Sequence, residues 1–62
     1  MESIKEVLMR RDNMSFEDAD DLIQQAKDAL REYLDNGDIL EAEDVCEEYF
    51  GLEPDYLFEL ID

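Results

Sequence analysis

Histidine is absent from this 62-residue chain, which removes the commonest general base and the commonest transition-metal ligand. Cysteine occurs once, at Cys46, so no internal disulfide can form, a composition that fits a reducing compartment. Long apolar runs are missing too. Charges interrupt the hydrophobic residues every few positions, leaving no transmembrane segment and no signal-peptide core. The expectation is a soluble, cytoplasmic protein. Basic side chains are scarce: five against twenty acids, a formal charge of -15.

That imbalance is uneven. Through Ser15 the charges cancel, with Lys5, Arg10 and Arg11 against Glu2, Glu6 and Asp12; from Phe16 onward only Lys27 and Arg31 offset the remaining acids. Nucleic acid is a polyanion whose binding depends on Lys and Arg displacing counterions, so direct DNA or RNA binding is disfavoured. The same argument opposes adsorption on an anionic membrane leaflet. Yet 45% of the residues are hydrophobic, too many for a solvated acidic tail. A single folded domain over residues 1–62 is expected, near the lower size limit for a core without staples. Self-association or docking on a partner could supply further burial.

The stretch "RRDNMSFEDADDLIQQA" crowds its acids in a way that could mean a metal loop or a helix start. A calcium loop needs oxygen ligands at positions 1, 3, 5 and 12 and glycine at 6. Counting from Asp12 puts Met14, Phe16 and Ile23 at 3, 5 and 12; counting from Asp35 puts Gly37, Ile39 and Cys46 there. Both registers fail. A helix start explains the acids instead: Ser15 as N-cap, Asp18 three residues on in a capping box, and Glu17 and Asp18 in the first turn. The helix dipole favours carboxylates there by roughly 0.3–1 kcal/mol each.

Apolar residues then recur as Ala19, Leu22, Ile23, Ala26, Ala29, Leu30, Tyr33 and Leu34, one face of a long helix that should close at Asn36 or Gly37. The same grammar appears elsewhere. "SIKE" sets Ser3 and Glu6 as a capping box before Ile4, Val7 and Leu8, with Arg10 and Arg11 at the helix end. "DILE" repeats the box with Asp38 and Glu41 before the stripe Ala42, Val45, Cys46, Tyr49 and Phe50. Gly51 closes that helix, with Leu52 folding back, and Pro54 suits the first position of a last one. No period-two run or hairpin turn points to a strand. The reading is an all-α compact bundle of three to four helices, over about residues 4–11, 16–35, 39–50 and 54–61.

Little here supports catalysis. Ser3 and Ser15 are the hydroxyl candidates apart from the tyrosines, and both serve as caps with no base nearby in sequence. Cys46 lies on an apolar stripe, where burial as a small hydrophobe is the ordinary outcome, although a thiol at an interface is the other reading. Paired carboxylates could do acid and base work only in a cleft, which four short helices rarely enclose. The expectation is no enzyme, no cofactor and no metal.

Two features remain. Glu41, Glu43, Asp44, Glu47 and Glu48 occupy the outer side of the third helix with no Lys or Arg among them. Glu43 with Glu47, and Asp44 with Glu48, are like-charge pairs four apart, each costing about 0.2–0.5 kcal/mol. Such a face is either solvated for solubility or a docking surface for a basic partner. The last helix carries Tyr56, Leu57, Phe58, Leu60 and Ile61, a stripe wide for one buried face. It either inserts between two helices as core or offers Phe58 or Tyr56 as an anchor for a protein partner or a second copy. Glu43, Asp44, Glu47, Glu48, Tyr56 and Phe58 are therefore the candidate partner-binding residues.

Taken together, "RRDNMSFEDADDLIQQAKDAL", "NGD" and "EEYFGLEPDYLFELI" resemble a family of small acidic proteins of tailed phages and prophages, over nearly the whole chain. No activity or active residue comes with the likeness. It implies an accessory protein of the bacterial cytoplasm that binds a host or phage component. The functional expectation is a non-enzymatic protein–protein interaction module with a basic partner. A homodimer, a nucleic-acid mimic blocking a DNA- or RNA-binding protein, and a weak divalent-cation binder are the alternatives.

Overall fold

A computed structural model describes residues 2–61, and among them the secondary structure is entirely helical. Helix α1 spans Ile4–Arg11, α2 Phe16–Asp35, α3 Ile39–Glu43 and α4 Val45–Phe50, and a 3₁₀ helix follows over Pro54–Glu59. The chain folds to an all-α bundle with a radius of gyration of 11.2 Å. Helix α2 is its spine: α1, α3 and α4 each pack on it, and the 3₁₀ helix packs on α4.

The caps differ by one methylene. At α1 the Ser3 hydroxyl accepts the Glu6 N–H at 3.1 Å while Glu6 Oε1 accepts the Ser3 N–H at 3.0 Å, so the box is complete. At α2 the Ser15 hydroxyl accepts the Asp18 N–H at 3.1 Å, and the shorter aspartate makes no return bond. Helix α2 ends in a Schellman closure: Asp38 N–H donates to the Tyr33 carbonyl at 2.8 Å and Gly37 N–H to Leu34 at 3.2 Å, with Gly37 at φ 77°.

That closure corrects the third capping box. Asp38 makes no side-chain cap bond, and its N–H, which Glu41 should have captured, is already given to Tyr33. The helix expected over residues 39–50 is also broken, by a turn at Asp44 (φ -91°, ψ 0°) that separates α3 from α4. Aspartate is a poor interior helix former, and of the two like-charge pairs one spans this point and the other begins at it, so the regular path has least support there. Asp44 N–H turns to the Glu41 carbonyl at 3.2 Å, and its own carbonyl accepts the Glu48 N–H at 2.9 Å to begin α4. Gly51, at φ 66°, ends α4, and Leu52 N–H folds back to the Cys46 carbonyl at 3.2 Å.

The last element is 3₁₀ and shorter than the α-helix expected over 54–61. In a 3₁₀ helix residues three apart eclipse, which divides its wide apolar stripe into three ridges. Leu60, just past the helix end, is buried, Tyr56 and Leu57 are half-buried against the core, Glu59 is half-buried, and Asp55 and Phe58 face solvent. The stripe therefore needs no single broad face to cover it.

The core joins Ile4, Val7 and Leu8 of α1 to Ala19, Ala26 and Leu30 of α2, Ala42 of α3, Val45, Cys46 and Phe50 of α4, and Leu60. The fully buried Ala19 and Ala26 present only methyl groups, which lets neighbouring helices approach α2 closely. Arg11 donates to the Phe50 carbonyl across 39 residues, tying the end of α1 to the end of α4. Lys5 pairs with Asp20 at 2.6 Å and lies 3.9 Å above the Phe16 ring, shielding one face of an otherwise exposed aromatic.

Candidate functional site

The turn at Asp44 shapes the acidic surface. Asp44, Glu47 and Glu48 line a shallow open depression of about 310 Å³ on α4, all three exposed and with no cation in its lining. Glu43 is exposed at the end of α3 but does not line the depression. The break thus leaves three of the four candidate acids together and sets Glu43 apart.

One of these acids is tethered. Tyr33 on α2 donates its hydroxyl to Glu48 Oε2 at 3.4 Å, a long bond linking the acidic surface to the spine. The Glu48 carboxylate, with some desolvation, raises the Tyr33 phenol above its ordinary range, since a phenolate there would face a like charge. Among the described residues no group of three acidic, cysteine or histidine side chains is arranged to hold a metal ion. The depression presents separate carboxylates to solvent, a geometry suited to meeting several cationic side chains rather than enclosing one ion.

Of the aromatic candidates, Tyr56 is half-buried and packs against the core, whereas Phe58 is 64% exposed. The 3₁₀ geometry puts them on different ridges, so Phe58 alone is free to insert into a partner. Cys46 is fully buried. Burial pushes its thiol up, and the Glu59 carboxylate adds to that shift. A protonated, enclosed thiol is a poor nucleophile. The acids whose carboxyls are held below their ordinary range lie elsewhere: Glu2 through Arg10, Glu6 through the Ser3 cap and Asp12 through Arg11.

A second surface lies outside the candidate residues. Lys27, Leu30, Arg31, Leu34, Leu60 and Ile61 line a groove of about 180 Å³ between α2 and the C-terminal segment. Ile39 and Leu40, 53% and 74% exposed, project from the start of α3. A signal for Leu40 is present in the sequence, since it falls off the stripe that begins at Ala42; Ile39, three residues before Ala42, falls on that stripe and is exposed all the same. Among the described residues no helix is long and apolar enough to cross a membrane. Compared with models of known protein families, with curated proteins and with solved structures, the chain shows no match.

Proposed function

We propose that this chain is a non-enzymatic interaction module that docks on a basic surface of a partner protein through Asp44, Glu47 and Glu48, with Glu43 next to them in sequence and the exposed Phe58 as a separate apolar anchor. The setting implied by its resemblance is that of a phage or prophage accessory protein acting on a host or phage component in the bacterial cytoplasm. The observation that carries the reading is the uncompensated depression on α4. Adjacent carboxylates repel, so their grouping lowers the stability of the free chain and gains only where cations approach. The charge of -15 extends that attraction beyond contact distance and speeds encounter with a cationic partner.

Affinity capture from bacterial lysate tests this. Immobilised chain should retain a basic protein at low ionic strength and release it as salt rises, because surface charge attraction is screened within a Debye length of about 8 Å at physiological salt. Glu47→Lys and Glu48→Lys should abolish retention, while Glu17→Lys, equal in charge change but remote from the depression, should leave most of it. Equal loss in all three variants reduces the effect to net charge and ends the site assignment.

A further inference from the structure

We infer that the groove beside Arg31 receives α3 of a second copy of this chain, forming a twofold dimer. Of the five basic side chains, Lys5, Arg10 and Arg11 are paired with acids. Lys27 and Arg31 meet no carboxylate within ion-pair distance among the described residues, and both line one groove with Leu30, Leu34, Leu60 and Ile61. An occupant must therefore bring apolar side chains flanked by acids. The exposed turn that opens α3 has this chemistry: Ile39 and Leu40 lie between Asp38 and Glu41, and among the described residues Leu40 is the most exposed large hydrophobic residue, at 74%. Leu34 and Ile61 in the groove are 47% and 56% exposed, so groove and occupant both leave apolar surface in water in the single chain.

Each copy has one groove and one α3, and a twofold pair fills both grooves at once and closes. Leu40 enters beside Leu34 and Ile61, while Asp38 and Glu41 face Lys27 and Arg31. None of these residues lines the acidic depression, which stays open in the dimer. Two chains of this charge repel at long range, so added salt strengthens the pair up to near-physiological ionic strength. Docking of a basic partner responds to salt in the opposite direction, so failure of either reading is distinguishable from failure of the other.

Sedimentation equilibrium of the full chain, up to millimolar concentration and at low and near-physiological salt, tests the pair. The wild-type chain should dimerise more tightly at the higher salt. Leu40→Ser and Arg31→Glu, both at exposed positions, should each weaken the dimer by roughly a hundredfold, since a symmetric pair suffers each change twice. Mixing the two variants should give heterodimer in excess of either homodimer. In the mixed pair both substitutions fall on the same groove and its occupant, which leaves the other groove and its α3 intact. Far-ultraviolet circular dichroism checks that both variants remain helical. A monomer at every salt and concentration, a dimer indifferent to both substitutions, or an open series of larger species overturns the inference.

Discussion

Glu59 Oε1 accepts the backbone N–H of Ile4 at 3.0 Å, joining residues 55 positions apart. Ile4 opens α1, where the N–H groups have no partner within the helix, and the carboxylate meets the positive end of that helix. The capping box at Ser3 satisfies other donors of the same turn. The C-terminal 3₁₀ helix thus acts as a tertiary cap. Glu59→Ala should lower stability by about 0.5–2 kcal/mol, the range for losing a helix cap, and Tm by about 4–8 °C for each kcal/mol. Glu59→Gln, which keeps an acceptor oxygen, should retain much of the difference. Thermal melts by circular dichroism decide it, and equal losses in the two variants would assign the effect to packing.

The contrast between Leu8 and Leu40 tests where the core lies. Leu8 is fully buried and Leu40 is 74% exposed. Leu8→Ala removes buried methyl groups and leaves a cavity, at a cost of about 2–5 kcal/mol. A chain this small holds only about 3–5 kcal/mol in its core, so this variant should lose most of its stability and populate the unfolded state measurably at 25 °C. Leu40→Ala should change monomer stability by no more than about 0.5 kcal/mol. Urea titration at low micromolar concentration and low salt, where the pair dissociates, measures both.

The helices of this fold were legible where a local signal had no competitor. Ser3 and Glu6 complete their box, Gly37 and Gly51 adopt positive φ, and Ala19, Ala26 and Leu30 fall on the buried stripe. The failures have local causes as well. Asp38 could not serve both the end of α2 and the start of α3, because one N–H makes one good hydrogen bond and Tyr33 takes it. Asp44 looked helical by pattern, yet repulsion and weak propensity collect there. The 3₁₀ helix was hidden because its period of three imitates the α pattern over six residues. At the surface, exposed acids could be identified from composition, but the division between Glu43 and the depression depends on the turn at Asp44. The groove at Arg31 brings α2 together with residues 60 and 61, a juxtaposition that no local pattern encodes.

Cys46 gives a probe of opening. The thiol is enclosed, and burial raises it above its ordinary value of 9.0. The native state therefore holds the thiol proton more tightly than the unfolded chain, and the associated stability is present below that value and lost as pH rises through the folded one. Near pH 8 a disulfide reagent should modify Cys46 slowly in buffer and rapidly in denaturant. Glu59→Gln, which removes the neighbouring negative charge, should lower the thiol pKa. Immediate stoichiometric reaction of the folded chain would place Cys46 at the surface instead.

The long hydrogen bond from Tyr33 to Glu48 supplies a direct reporter of the acidic surface. Glu48 raises the phenol above its ordinary 10.0, so the folded chain keeps that proton where the unfolded chain begins to lose it. The resulting stability is present below the unfolded value and disappears as pH rises through the folded one. Alkaline titration followed by phenolate absorbance, differenced against Tyr33→Phe to isolate this tyrosine, should show a midpoint above 10.0. Glu48→Gln should move it down toward the ordinary value, because both the like charge and the anionic acceptor are gone. A cationic partner seated on Asp44, Glu47 and Glu48 offsets the same charge and should move the midpoint in the same direction. Binding that leaves the Tyr33 midpoint where it stands in the free chain would put the partner somewhere other than this depression.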